Sequence, residues 1–221
     1  HEQNIEFLRF KRMGKWWWLF MYLYELIVYH MVDKILCISE TDKTYAADAF
    51  KINQKKLQYS PYVVDVSRFK QDIVARNNIR KLLGFTNFFI VLFFGPLDYK
   101  PNTEALEIIY QKIAPEVYKK NENIKFVIAG KNPPKNMQIS NITCTGMVEK
   151  IEDYINASDL VIVPLLSGGG VRTKILESLA CGKPVISTSI GAEGIDKEKQ
   201  KKLILVDDWQ MFSQKIVSLV I

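Results

Sequence analysis

The sequence predicts an α/β fold on a doubly wound parallel sheet, with a partial α/β segment ahead of it. Three observations carry this. From Phe88 onward, apolar runs of strand length alternate with segments of helical spacing. Three of those runs, "FFIVLFFG", "IKFVIAG" and "LVIVPLL", are almost wholly apolar, as parallel strands buried on both faces tend to be. Glycine-marked turns follow these runs, at the strand ends where such sheets hold ligands. Six strands alternating with helices in this way make a Rossmann-like sheet.

The elements are justified in chain order. "KRMGKWWWLFMYLYELIVYHM" is an apolar stretch interrupted by Glu25, short of the roughly 20 uninterrupted apolar residues a membrane span needs. Two readings of it stay open. Lys11, Arg12 and Lys15 ahead of Trp16, Trp17 and Trp18 suit a helix lying at a membrane surface. A buried helix of an α/β domain accounts for the same apolar pattern. "KILCIS" (34–39) is a short strand, and a polar helix follows from Glu40 to Phe50. "LQYSPYVVD" (57–65) is a further extended piece that Pro61 keeps irregular. "SRFKQDIVARNNIRKLLGF" is charged, lacks strong periodicity, and reads as a connector with a helix that stops at Gly84.

"FFIVLFFG" opens the regular pattern. A helix from Thr103 to about Tyr118 puts Ala105, Leu106, Ile109 and Ile113 on one face. "IKFVIAG" and "ITCTGMV" are the next strands, "EDYINAS" is a short helix, and "LVIVPLL" is the fourth strand. A helix beginning near Val171 leads to the strands "PVISTS" and "KLILVD", and an apolar helix from Met211 to Val220 closes the chain.

Composition narrows the function. In 221 residues, 48% are hydrophobic and 24% charged, an ordinary balance for a globular protein with a sizeable core. The net charge of +6 suits an anionic ligand or an acidic membrane surface and does not single out nucleic acid, which is not expected as a partner. Cys37, Cys144 and Cys181 lie in apolar runs and read as buried free thiols of a reducing compartment. His1 and His30 are too few for a zinc constellation, so no metal site is expected. A start at His1 without a signal pattern reads as a fragment of a cytoplasmic protein.

Three loops at strand ends combine glycine with a cation: "FGPLDYKPN" with Lys100, "AGKNPP" with Lys131, and "LLSGGGVRTK" with Arg172 and Lys174. Consecutive glycines let backbone amides close on a ligand that a Cβ would hold off. A helix start just beyond adds N–H groups and partial positive charge, a combination that binds phosphate. The stretch is neither a Walker loop nor G-x-G-x-x-G. A plain strand-to-helix turn would explain the glycines alone, but the two cations favour an anion site. Glu177, about two helical turns past Gly170, suits hydrogen bonds from sugar hydroxyls. Phosphate beside a hydroxylated ring describes a nucleotide or nucleotide-sugar.

These residues resemble a known family. "GGGVRTKILESLACGKPVISTSIGAEGI" is similar to the donor-site signature of retaining GT-B glycosyltransferases, the glycosyl transferases group 1 family. "LFFGPLDYKPNTEAL" resembles its first strand and loop, and "HEQNIEFLRF", "DKILCISETD" and "VVDVSRF" resemble the late part of its amino-terminal domain and the passage between domains. The resemblance implies residues 1–64 as a remnant of the acceptor-side domain and 65–221 as a nucleotide-sugar-binding Rossmann-like domain. It implies transfer of a hexose-type sugar with retention of configuration. The residues implied in catalysis are Lys100, Arg172, Lys174 and Glu177, the last as the ribose-binding glutamate. Those implied in donor binding are Gly95, Pro96, Lys131, Met147, Val148, Gly168, Gly169, Gly170, Val171 and Thr173. Gly169 stands where many members carry a glutamate facing the transferred sugar, and Pro96 where many carry an arginine. The expected donor is UDP- or GDP-linked, with no separate cofactor. The acceptor is a glycan or a lipid-linked one, with peripheral membrane contact or self-association through residues 16–31. The alternative function is an inactive nucleotide or nucleotide-sugar binding module. A sugar-epimerising Rossmann protein would need a G-x-G-x-x-G and a Tyr-x-x-x-Lys pair that "YKKNENIK" does not convincingly provide.

Overall fold

The computed structural model describes residues 5–133 and 140–220, so Pro134 of the "AGKNPP" loop, the first four residues and Ile221 lie outside the described residues. The chain forms two compact units. The first gathers the residues up to Val63 with Ser167–Thr173 and Ala192–Lys201; the second gathers Val64–Leu166, Lys174–Gly191 and the residues from Lys202 on.

In the first unit, helix α1 (Glu6–Arg12) and helix α2 (Trp18–Met31) replace the single apolar stretch expected, because Gly14 turns the chain between them at φ 69°. Glu25, 5% exposed on α2, accepts the N–H groups of Glu6 at 2.6 Å and Phe7 at 3.0 Å. Burial pushes this carboxyl above its ordinary range, although the two backbone donors pull the other way. It thereby satisfies two of the donors that a helix start leaves open. Phe7 meets the rings of Tyr22 and Phe50 edge-on, and Tyr29 does the same to Phe50, giving an aromatic core. Strand β1 (Ile35–Cys37) pairs in parallel with β2 (Leu57–Tyr59). The extended piece expected over 57–65 therefore supplies a strand only in its first three residues, ending ahead of Pro61. Helix α3 (Glu40–Phe50) has the expected bounds, with Ser39 Oγ accepting the Asp42 N–H as its N-cap.

The second unit is the doubly wound sheet. Helix α4 (Ile73–Leu83) starts on the Asp72 carboxylate, which takes the N–H groups of Val74 and Ala75, and stops at Gly84 as expected. Strand β3 (Phe89–Phe94) runs through the middle of the core, with Val91, Leu92 and Phe93 fully buried. Helix α5 (Lys100–Ile108) begins three residues ahead of the expected Thr103, with Pro101 in its first turn. A π-helical turn (Ile109–Ile113) then joins it to α6 (Ala114–Lys120). Pro115 has no N–H to offer Gln111 and its ring would strike that carbonyl, so the wider turn takes up the mismatch. The core face is nonetheless the expected one: Ala105, Leu106, Ile109 and Ile113 are all inaccessible to solvent.

Strands β4 (Ile124–Ala129) and β5 (Ile142–Gly146), helix α7 (Ile151–Ala157) and strand β6 (Leu160–Val163) follow. Helix α8 (Thr173–Ala180) starts two residues later than the expected Val171. Strands β7 (Val185–Ser187) and β8 (Leu203–Leu205) complete the sheet, and a helix from Trp209 to Ser218 closes the chain, capped by Asp208. The strand order is β5-β4-β3-β6-β7-β8, with every pairing parallel. The chain thus reverses its direction of winding between β3 and β6, the place where ligands bind in such sheets.

Buried charge holds α4 to the sheet. Asp159, just ahead of β6, accepts from the Ile90 N–H at 2.8 Å, from Arg76, and from Arg80 at 3.0 Å. Arg80 also donates to the carbonyl of Ala157. Burial alone would raise the Asp159 carboxyl, but these donors together hold it below the usual carboxylate range. Cys37 and Cys181 are fully buried, and Cys144 is half-buried, more open than expected. Burial pushes the Cys181 thiol up to about 11, far from a reactive thiolate at neutral pH.

Candidate functional site

The site builds from the carboxyl ends of β3 and β4. Gly95 follows β3 and donates to the carbonyl of Ala129 at 3.0 Å, and Gly130 follows β4 and donates to the carbonyl of Gly146 at 2.8 Å. The two turns pass so closely that a Cβ on Gly130 would sit 1.9 Å from the Gly95 carbonyl oxygen. Only glycine permits that approach. It leaves space above Gly95 for polar groups from α5 and α8.

Two such groups occupy it. Lys174, on the first turn of α8, places its ammonium 4.7 Å from the centroid of the Phe93 ring and 5.8 Å from that of Phe94. Its Nζ donates to Asn102 Oδ1 at 3.0 Å. Asn102, 4% exposed on the first turn of α5, donates from Nδ2 to the Pro96 carbonyl at 2.8 Å. Thr103 fastens the same turn through Oγ1 to the Leu97 carbonyl at 2.8 Å. The structure therefore brings Gly95, Pro96 and Lys174 together at the end of the central strand.

Other expected residues stand elsewhere. Lys100 opens α5 on the surface, 3.8 Å from Glu104. Lys131 has an exposed side chain, while its carbonyl takes the Leu97 N–H at 3.1 Å. Met147 is 79% exposed just past β5, with Val148 half-buried beside it. Glu177 lies three residues beyond Lys174 on α8, on a neighbouring part of the same helical face.

The glycine segment belongs to the first unit. Gly168 and Gly170 adopt φ 109° and 76°, conformations that a side chain disfavours. Arg172, 9% exposed, turns back on its own loop and donates to the carbonyls of Gly169 and Ser167. Arg12 donates to the Gly168 carbonyl at 3.2 Å and makes a two-pronged pair with Glu193 at 2.6 and 2.9 Å. That pairing raises the Arg12 guanidinium above its ordinary value. Three successive carbonyls are thus held by guanidinium groups. In planar trans peptides the N–H groups of Gly168, Gly169 and Gly170 point the opposite way. A cleft of the same unit is lined by Arg9, Arg12, Asp42, Gly169, Gly170 and Glu193. A Cβ on Gly169 would find its nearest neighbour at 3.9 Å, so this position has room for a side chain.

Sequence reasoning set Arg172 beside the anion; the structure shows its guanidinium bracing the loop's carbonyls. It missed Asn102, whose only sequence signal is the "KPN" start of a helix. Among the described residues, no group of three His, Cys, Asp or Glu is placed to hold a metal ion. Among them, too, no helix is long and apolar enough to cross a membrane.

Comparison with known proteins follows the same lines. Residues 89–221 match the family model of the glycosyl transferases group 1. An uncharacterized 44.6 kDa protein in the cps region of Klebsiella pneumoniae is 30% identical over 140 residues, 58% of this chain and 36% of that protein. The putative teichuronic acid biosynthesis glycosyltransferase TuaC of Bacillus subtilis (strain 168) is 30% identical over 139 residues, 59% of this chain and 33% of that one. The matched region thus spans about a third of the length of these curated relatives. Anabaena HepE, solved in complex with UDP and glucose, shares the fold with a TM-score of 0.71 at 15% identity, over 91% of this chain and 57% of its own. Fold, strand-end geometry and family match agree: the chain belongs to the glycosyl transferases group 1 family.

Proposed function

We propose that the protein transfers a sugar from a nucleotide-sugar donor to an acceptor, with retention of configuration, and that its second unit holds the nucleotide. One observation carries the reading: the Lys174 ammonium fixed over the carboxyl end of β3, beside the close crossing of Gly95 and Gly130. Breaking the anomeric bond leaves a nucleoside diphosphate that gains negative charge as it departs. A cation held in advance stabilises that departing group more than the bound donor, which is where rate is gained. Glu177, on the same helix as Lys174, accepts hydrogen bonds from the ribose hydroxyls. A UDP-linked hexose is the preferred donor, since HepE was solved with UDP and glucose. The reaction needs neither a metal nor a separate cofactor. A glycan or lipid-linked acceptor suits a chain similar to proteins of a cps region and of teichuronic acid biosynthesis.

Calorimetric titration with UDP, GDP and ADP tests the reading. UDP is expected to bind, and Lys174→Met to weaken it by at least about tenfold, as loss of a charge-assisted contact does. Glu177→Ala should erase the preference for ribose over 2′,3′-dideoxyribose, worth about 1–3 kcal/mol. Absence of binding by all three nucleotides would overturn the proposal. Binding without transfer to any acceptor would leave the binding-module function in its place.

A further inference from the structure

The cleft of the first unit is lined by two guanidinium groups and two carboxylates, and these charges are not equally committed. Arg12 is bound twice to Glu193, at 2.6 and 2.9 Å, and Arg9 pairs with Glu6. Asp42, on the first turn of α3, has no such partner among the described residues. Its Oδ2 takes the Ser39 hydroxyl at 2.6 Å, and no donor among those residues reaches Oδ1. Burial, with Glu193 nearby, pushes this carboxyl above its ordinary range, although Ser39 and Arg12 pull the other way. The space in the cleft is about 20 Å³, room for one water or one hydroxyl. Gly169 leaves part of the wall bare, since an added Cβ would find Arg9 Cβ first, at 3.9 Å. A hydroxyl gives Oδ1 the hydrogen bond it lacks. A carboxylate or phosphate has no proton to give, and it would set a further negative charge against Asp42 while both arginines are engaged.

We propose that Asp42 is a specificity-determining residue: it accepts a hydroxyl of a neutral sugar ring in this cleft and rejects a ring that carries an acidic group. The inference rests on the sugar-transfer reading above for the kind of ligand, and not on the nucleotide site.

The test is an NMR titration with methyl glucoside, galactoside and mannoside and with the three corresponding methyl hexuronides, which differ by a carboxylate in place of the hydroxymethyl group. Wild type should bind at least one neutral hexoside, and its hexuronide about tenfold more weakly. Asp42→Asn should weaken the neutral ring by about fivefold and narrow the preference over the acid to less than about threefold. If that variant fails to fold, judged by circular dichroism, Thr41→Phe serves instead: Thr41 is an exposed residue at the cleft, and the larger side chain should block the hexoside. UDP-glucose against UDP tells the source of the ring. Weaker UDP-glucose binding by Asp42→Asn with UDP unaltered marks the donor's sugar, and weaker hexoside binding alone marks the acceptor's. A hexuronide bound as tightly as its hexoside, or an undiminished preference in Asp42→Asn, would overturn the proposal. A protein that binds UDP but no neutral ring, free or nucleotide-linked, would overturn it too and leave the nucleotide reading intact.

Discussion

Two glycines show how differently one residue type can be constrained. At Gly130 an added Cβ would meet the Gly95 carbonyl oxygen at 1.9 Å and Leu97 Cγ at 2.9 Å, so two backbone segments would have to part. Gly130→Ala should therefore cost on the order of 3 kcal/mol in urea denaturation. Gly169→Ala should stay within about 0.5 kcal/mol of wild type, because its nearest neighbour is 3.9 Å away and its φ is not positive. Equal effects of the two substitutions would contradict this geometry. In the sequence both are simply glycines after apolar runs. Their difference lies in how closely β3 and β4 approach, which no local pattern records. Asn102 was hidden for the same reason: its partners Pro96 and Lys174 meet only once α5 and α8 stand over one strand end. Arg172 and Lys174 follow the same glycine-rich turn in the sequence, and their different partners, the loop's own carbonyls for Arg172 and Asn102 for Lys174, appear only in the fold.

Helix α4 is the element that sequence periodicity described least well. The side chains that fasten it are Arg76 and Arg80, donating to Asp159 and to carbonyls ahead of β6, so its inward face does not read as apolar. Asp159 is only 20% exposed and Arg80 10%, and its carboxyl is held below the usual range. A depressed carboxyl stabilises the fold above its unfolded pKa, near 3.9, and that contribution is lost as pH falls through the folded value. Thermal melts should therefore show wild type losing stability below about pH 4. Asp159→Asn should be less stable at pH 7 by on the order of 3 kcal/mol, since it leaves two arginines facing a neutral group, with a shallower acid decline. Parallel acid profiles for the two proteins would remove Asp159 from the account. By contrast, α5 was largely legible, because its apolar face survives the π turn that Pro115 forces.

At the scale of the whole molecule, the parallel sheet was the most legible feature, since strands buried on both faces are almost wholly apolar and three of the six runs read that way. The helix α2 reading was left open between core and surface, and the structure divides it by face. Glu25 and Tyr29 are buried, while Trp16 just ahead of the helix is 82% exposed, Phe20 67%, Ile27 59% and Met31 79%. These four fall on one side at helical spacing, with Lys11 and Lys15 close by in sequence. A face of this kind is expected to be covered in solution. Sedimentation should show a species heavier than the 25.6 kDa monomer, or flotation should carry the protein up with anionic vesicles in a salt-sensitive way. A monomer that ignores vesicles would contradict the expectation. The order of the sheet has a consequence of another kind. Strand β3 is one of its two middle members, and its two edges are closed at different times as the chain leaves the ribosome. Strand β4 can pair with one edge early, but the Asp159 carboxylate that caps Ile90 lies 69 residues further on, with β6 directly behind it. Until that segment emerges, a nascent chain carries an open edge on a run of six apolar residues. Such edges recruit wrong partners, so chaperone capture falls naturally in the interval between synthesis of β5 and synthesis of β6.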